Sequence, residues 1–370
     1  MGVTSQLTGD SNTIKKFSAT EFIDMYKKNS FGHIESLGAV HNAPELTGTN
    51  AGDQITIPLI NRLTGTGIGE GGTLVGNEEG LDKEAFQMTT GIFRHAVLNP
   101  NKQTIEQNRT TVDFDRVSTE LLKDFHNSRL DASMFSQLAG STANTITVDG
   151  TAYTSGKRLF VQGLNTPVAP TTNRIARAGG AATDQALTST DTMNLDLIDD
   201  ALVSIQGTYP TMKPLRNGMF ACYLSYQQAV DLQRDSSGQI QMYQLEQSKM
   251  QGGKDSVFTN KDAYYAEDKA WGYYKNVEFY SSNRIADGQN SSTAAAITTV
   301  KRAVIIGQRA LVYGSPYGTL SKGNVPLRMF TQLQDYEYYK GGEGRMNYGL
   351  KNVVQDSENL GTYVISTYSA

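Results

Sequence analysis

The chain has 370 residues, with 33 Lys and Arg against 37 Asp and Glu, a formal net charge of -4. Hydrophobic residues make up 38%, aromatics 9% and charged residues 19%, which excludes a wholly disordered or collagen-like chain. The length suits two or three domains, or one elaborate one. No run of about 18 apolar residues is present to span a membrane as a helix. The N-terminal MGVTSQLTGDSNTIKK lacks the apolar stretch of a signal peptide, and the single Cys222 leaves no internal disulfide. Both point to a soluble chain folded in a reducing cytosol. No basic stripe stands out, so contact with nucleic acid is expected by enclosure or weak local contact.

Residues 1–50 read as an arm with one helix, opened by the capping box Ser18-Ala-Thr-Glu21 with Phe17 and Phe22 at the staple positions. Residues 54–63 alternate, with Ile55, Ile57 and Leu59 on one face, and Pro58 marks an edge strand. FQMTTGIFRHAVL (86–98) is the second β-rich stretch, and between them TGTGIGEGGTLVGNEEG (64–80) has seven glycines in seventeen residues. The pattern predicts a long two-stranded arm with a pliable tip, and such a hairpin needs something to lie on. Residues 111–139 carry the clearest helix. Phe114, Val117, Leu121, Phe125, Ala132, Phe135 and Ala139 form its stripe, Asp113 or Thr111 its cap, and Gly140 its end. Such a helix is roughly 40 Å long at about 1.5 Å per residue. Residues 141–190 read as turns and short strands.

From about 192 the pattern is mixed. Leu195, Ile198, Leu202 and Ile205 predict a helix ended by Gly207 and Pro210. GMFACYLS (218–225) is a buried strand, and Ser225-Tyr-Gln-Gln228 caps a following helix. SSGQIQMYQLEQSKMQGGKD is polar and reads as mobile. WGYYKNVEFYSS (271–282) alternates like a strand, VKRAVIIGQRALVYG (300–314) runs from strand into a turn or short helix, and QDYEYYK and TYVISTYS are strand-like.

Motifs of catalysis fare poorly. Gly67-x-Gly69-x-x-Gly72 has the letters of a dinucleotide fingerprint, but no amphipathic helix follows to hold a phosphate. Gly156-Lys157 and Gly253-Lys254 lack the rest of a phosphate loop. His33, His41, His95 and His126 show no zinc spacing; His126, on the long helix away from the main apolar stripe, reads as satisfied or solvated. Ser315 in Gly314-Ser-Pro-Tyr-Gly318 is one place early for a nucleophile elbow. Cys222 reads as a buried, inert thiol. We therefore expect no catalytic residue, metal or cofactor. Glu78 and Glu79 are poorly placed for a carboxylate pair. They are either solvated loop charges or an inter-subunit ion pair with Arg94 or Arg109 of another copy, which would set register. The nineteen tyrosines suit interfaces, with core packing as the ordinary alternative for most.

The order of these segments resembles the major capsid proteins of tailed bacteriophages with the Hong Kong 97-type fold, more narrowly the N-four-like major capsid family. The residues that carry the resemblance are GGTLVGNEEGL (71–81), FRHAVL (93–98), DRVSTELLKDFHNSRLDASMFSQLAG (115–140), YLSYQQAVDLQRD (223–235), WGYYKNVEFYSSNRI (271–285), VIIGQRALVYG (304–314) and residues 334–367. The resemblance implies an α+β chain with an N-terminal arm (1–50) and an extended β-hairpin loop (51–100) over a neighbouring subunit. A peripheral domain (101–190) would follow, with a spine helix (111–139). Then come an axial domain (191–333) and C-terminal strands (334–370) returning to the peripheral domain. It implies a structural, non-enzymatic subunit of the virion, assembled in the host bacterial cytoplasm. Pentamers and hexamers would enclose double-stranded DNA, with scaffolding, portal and decoration proteins as partners and no membrane. Tyr-, Thr- and Gly-rich strands also suit a carbohydrate-binding module, and a tail-tube or decoration protein is a further alternative; the spine helix weighs against the latter.

Overall fold

The computed structural model describes residues 31–43, 54–101, 113–143, 145–148, 151–154, 165–235, 270–318, 320 and 327–369. The expected helix after Ser18, the Gln-rich stretch from 236, Thr111 and Arg109 lie outside them.

In chain order the first elements are α1 (Gly32–Ser36), β1 (Val40–Asn42), β2 (Gln54–Ile60), β3 (Lys83–Thr89) and β4 (Gly91–Pro100). The long helix α2 (Phe114–Leu138) and a hairpin of β5 (Thr145–Val148) and β6 (Thr151–Thr154) follow. Next are β7 (Ile175–Arg177), α3 (Leu195–Gly207), β8 (Phe220–Leu224) and α4 (Tyr226–Arg234). Then come β9 (Gly272–Tyr274), β10 (Val277–Ser281), β11 (Asp287–Gln289), β12 (Ala296–Ile306) and β13 (Leu311–Gly314). The last are β14 (Arg328–Gln334), β15 (Tyr339–Asn352), β16 (Val354–Gln355), β17 (Glu358–Asn359) and β18 (Thr362–Tyr368).

Two sheets organise these elements. One has seven strands in the order β7-β18-β12-β8-β10-β9, with β11 on β12. The other has the order β1-β13-β15-β14, with β4 also on β15. β8 (FACYL) is buried at every position, so both of its faces need cover. Phe220, Cys222 and Leu224 pack with α3 and α4, through Ile198, Ala201 and Leu232. Ala221 and Tyr223 face the other way, toward Phe135 and Leu138 of α2 and Tyr348 of β15. The C-terminal half of α2 is thus a layer between the two sheets.

The predicted caps form. Asp113 accepts from the backbone N–H of Asp115 at 3.1 Å, and Gly140 takes φ +56° where the helix stops. Ser225 and Gln228 close the capping box of α4. Two buried ion pairs tie α2 and its surroundings to the seven-stranded sheet. Arg284 Nη1 donates to Asp131 at 2.6 Å and Arg302 Nη2 lies 2.7 Å from Asp184, while Arg302 Nη1 reaches the Ala139 carbonyl at 3.3 Å. Burial opposes ionisation of Asp184, but Arg302 and Arg177 outweigh it and hold its carboxyl below the usual range.

Several expectations need correction. The C-terminal strands do not all return to the α2 side. β15 does, but β18 lies between β12 and β7 in the seven-stranded sheet. Its near-complete burial demands a central position. β13 and β14, expected with the axial segment, belong instead to the sheet under α2, and β7 joins the seven-stranded sheet. WGYYKNVEFYSS is a hairpin of β9 and β10 that turns at Lys275, φ +50°. Most of QDYEYYK is a turn, with Asp335, Tyr336 and Glu337 all at positive φ.

Candidate assembly surfaces

The arm is built as its alternation predicts. β2 and β3 pair antiparallel from Gln54 opposite Thr89 to Ile60 opposite Lys83. Ile55, Ile57 and Leu59 turn one face onto Phe86, Met88, Val312 and Val353, while Gln54, Thr56, Pro58 and Ile60 are exposed. The arm therefore rests on the core along one side only.

Hydrogen bonds hold the arm's root. Gln355 Nε2 donates to the Ile60 carbonyl and to Asn61 Oδ1, both at 3.0 Å. The Asp356 N–H donates to Glu84 at 3.0 and 3.1 Å. Asn61 Nδ2 donates across the hairpin to Asp82 at 2.8 Å and to Glu84 at 3.0 Å. The Arg62 N–H donates to the Tyr209 hydroxyl at 2.9 Å, and the Arg62 guanidinium lies 4.1 Å over the Tyr209 ring. The direction in which the arm leaves the body is thereby set from both sheets' surroundings.

Beyond the root the tip turns through glycine. Gly67, Gly71 and Gly76 take φ of +71°, +88° and +86°, conformations that other residues rarely adopt. No helix opens at Gly67-x-Gly69-x-x-Gly72, so the phosphate-binding letters have no phosphate-binding geometry. Leu74 is 69% and Val75 80% exposed.

Glu79 accepts from the Thr64 N–H at 2.6 Å and the Gly65 N–H at 2.7 Å. These two bonds hold its carboxyl below the usual range and pin the two sides of the tip together. Glu78 Oε2 accepts from the Gly76 N–H at 2.7 Å. Arg94 on β4 lies 3.8 Å from Glu343 of its own chain, with its side chain 63% exposed. The fold of one chain does not bring Glu78 or Glu79 to Arg94. Sequence reasoning missed the root residues Tyr209, Gln355 and Asp356, which no local pattern connects to the arm.

The remaining candidates are structural. Cys222 is fully buried, which pushes its thiol up and removes it as a nucleophile. Ser315 is buried in a turn, its Oγ accepting from the Tyr317 N–H at 3.2 Å. His41 and His95 are exposed, and the His33 side chain lies outside the described residues. His126 is fully buried rather than solvated, between Phe93 and Phe125. Among the described residues no group of three or more His, Cys, Asp or Glu could hold a metal ion. No described helix is long and apolar enough to cross a membrane.

A family model described as phage capsid protein matches residues 7–370. Solved structures that share the fold include three phage heads. The capsid of Ralstonia phage GP4 is 21% identical, with a TM-score of 0.73 over 100% of this chain and 99% of that one. The Cyanophage Pam1 capsid asymmetric unit is 15% identical, with a TM-score of 0.69 over 100% of both chains. The head structure of Helicobacter pylori bacteriophage KHP40 is 14% identical, with a TM-score of 0.64 over 99% of this chain and 98% of that one. No curated protein matches the chain.

Proposed function

The chain belongs to the phage capsid protein family and is a structural major capsid protein, and from that premise we propose that its arm, residues 51–100, joins copies by lying over a neighbouring subunit. The observation that carries this reading is the tip. It is anchored at its root by Tyr209, Gln355 and Asp356, yet its own Leu74 and Val75 stay exposed. An exposed apolar group on an ordered projection suits burial against another surface.

The five-stranded sheet with α2 forms a peripheral domain, and the seven-stranded sheet, β7 included, with α3 and α4 forms an axial domain around the symmetry axes. Pentamers and hexamers built this way close an icosahedral shell around double-stranded DNA, after assembly in the host cytoplasm with scaffolding, portal and decoration proteins. Many weak repeated contacts add into a stable shell by multivalency. The net charge of -4 suits a container that does not clamp its DNA, since DNA affinity comes from phosphate neutralisation.

Electron microscopy of the protein expressed alone and with candidate scaffold proteins tests the reading. Replacing residues 63–81 by a short Gly-Ser turn should leave a folded subunit that no longer forms shells. Shells of normal yield from that variant would remove the arm from the assembly.

A further inference from the structure

The outer face of the β4–β15–β14 sheet carries a row of like charges. In the antiparallel register Arg94 stands directly opposite Arg345, and Arg345 directly opposite Arg328. Like charges in directly opposed positions work against a sheet. Among the described residues one carboxylate answers two of them. Glu343 accepts from Arg345 at 3.1 and 3.2 Å and lies 3.8 Å from Arg94. Arg328 stacks on the Tyr317 ring at 4.4 Å and pairs with no carboxylate among the described residues. Apolar side chains flank the row on the same face, with Ile92 56%, Leu98 52% and Phe330 42% exposed. Gly341, opposite Leu98 and Gln332, leaves a shallow groove beside them.

The complementary chemistry is in the chain itself. From Leu63 to Asp82 the arm tip carries Glu70, Glu78, Glu79 and Asp82 and no Lys or Arg, beside the exposed Leu63, Ile68, Leu74 and Val75. Glu79 and Asp82 are engaged within the arm, by Thr64 with Gly65 and by Asn61 respectively. Glu70 is exposed, and Glu78 uses only Oε2 on its own chain.

We infer that the row Arg94–Arg345–Arg328 receives the arm tip of a second copy of this chain, with Glu70 and Glu78 as its carboxylates. This rests on the reading that the arm crosses a subunit boundary, and it assigns the residues at both ends. The guanidinium fork takes a carboxylate in two parallel bonds, so the row fixes where along the sheet the tip sits. The apolar fringe meets the apolar tip and keeps water from the pairs. Such pairing sets register and rejects wrong partners more than it adds affinity. Glu79 is left out because its carboxylate shapes the tip.

Compensating charge reversal in the full-length chain tests the inference. Arg94→Glu with Arg328→Glu reverses the exposed ends of the row and keeps the Arg345–Glu343 pair. Glu70→Arg with Glu78→Arg reverses the tip. Shell yield is read by light scattering and negative-stain microscopy, and folding by circular dichroism. Each one-sided variant should lose about tenfold in yield, and the chain carrying all four substitutions should recover most of it. Normal yield from either one-sided variant overturns the inference. So does one-sided loss without recovery. Loss on the arginine side alone also overturns it and points to a different acidic partner. In each case the wild-type control still assembles, and the capsid reading stands. A wild-type control that forms neither shells nor rings overturns the premise instead. If charge reversal misfolds the chain, Arg94→Gln with Arg328→Gln should flatten the salt dependence of assembly, and an unchanged salt dependence overturns the inference.

Discussion

Acid should loosen the contact between α2 and the five-stranded sheet through His126. Its ring is fully buried, 5.2 Å edge-on from Phe93 and 5.7 Å from Phe125. A methyl added to Gly344 would come within 2.6 Å of its Nε2, so the sheet backbone presses directly on the ring. Burial, with the charges of His95 and Arg129 acting in the same direction, pushes its pKa from 6.5 down to about 4. The unfolded chain then takes up this proton at higher pH than the folded one. The group's full stabilisation is present above pH 6.5 and is lost as pH falls through 6.5 toward about 4. At about 1.4 kcal/mol per pKa unit, the loss by pH 4 is about 3 kcal/mol. Urea unfolding of the unassembled subunit measures it, followed by far-ultraviolet dichroism and the fluorescence of the single Trp271. His126→Leu is the control. Its packing cost is the same at every pH and cancels from the comparison. Between pH 7 and pH 4 the wild type should lose about 3 kcal/mol more than the variant. Parallel stability profiles for the two proteins would refute the argument.

Three further outcomes follow from the same packing. Asp131→Ala takes the carboxylate from the buried Arg284 and should cost about 3–5 kcal/mol in urea unfolding, whereas Asp131→Leu with Arg284→Met should cost far less; equal losses would show that the charges are not the cause. Gly344→Ala drives a methyl against His126 and should cost about 1–3 kcal/mol, with a thermal midpoint equal to wild type as the contrary result. Glu79→Ala should speed amide exchange at Thr64 and Gly65 without shifting global unfolding; unchanged exchange there would mean that the tip holds its shape without that carboxylate.

What the sequence makes legible is what local physics decides. Asp113 and the Ser225–Gln228 pair announce helix starts because capping is a contact over three residues. The arm is legible because Ile55, Ile57 and Leu59 alternate against a single buried face. The turn at 335–337 is hidden because Asp335, Tyr336 and Glu337 enter left-handed backbone without a glycine to mark it. β18 reads correctly as a strand, yet a strand buried on both faces carries no alternation to say which sheet claims it. His126 escapes for a related reason. A helical stripe describes burial on one side, and the C-terminal half of α2 is buried all round. The arginine row is invisible until the register is known, because Arg94 and Arg345 are 251 positions apart in the numbering and meet only across β4 and β15.

The distribution of these features gives the subunit a paired interior and an unmatched periphery. Its interior meets its own charge at Asp131, which has Arg284, and at Asp184, which has Arg302 and Arg177. Its periphery does not. The arm buries one face and leaves Leu74 and Val75 to solvent, and in a row of three arginines Arg94 and Arg345 share Glu343 while Arg328 has no carboxylate among the described residues. Both features disfavour the isolated chain, one by apolar exposure and the other by repulsion. Docking of another copy's arm tip on the arginine row, as proposed, would relieve them together. Each relief is small and partly screened by salt. Repetition around a closed shell makes the sum large, while any single contact stays weak enough to break and re-form when a subunit docks out of register.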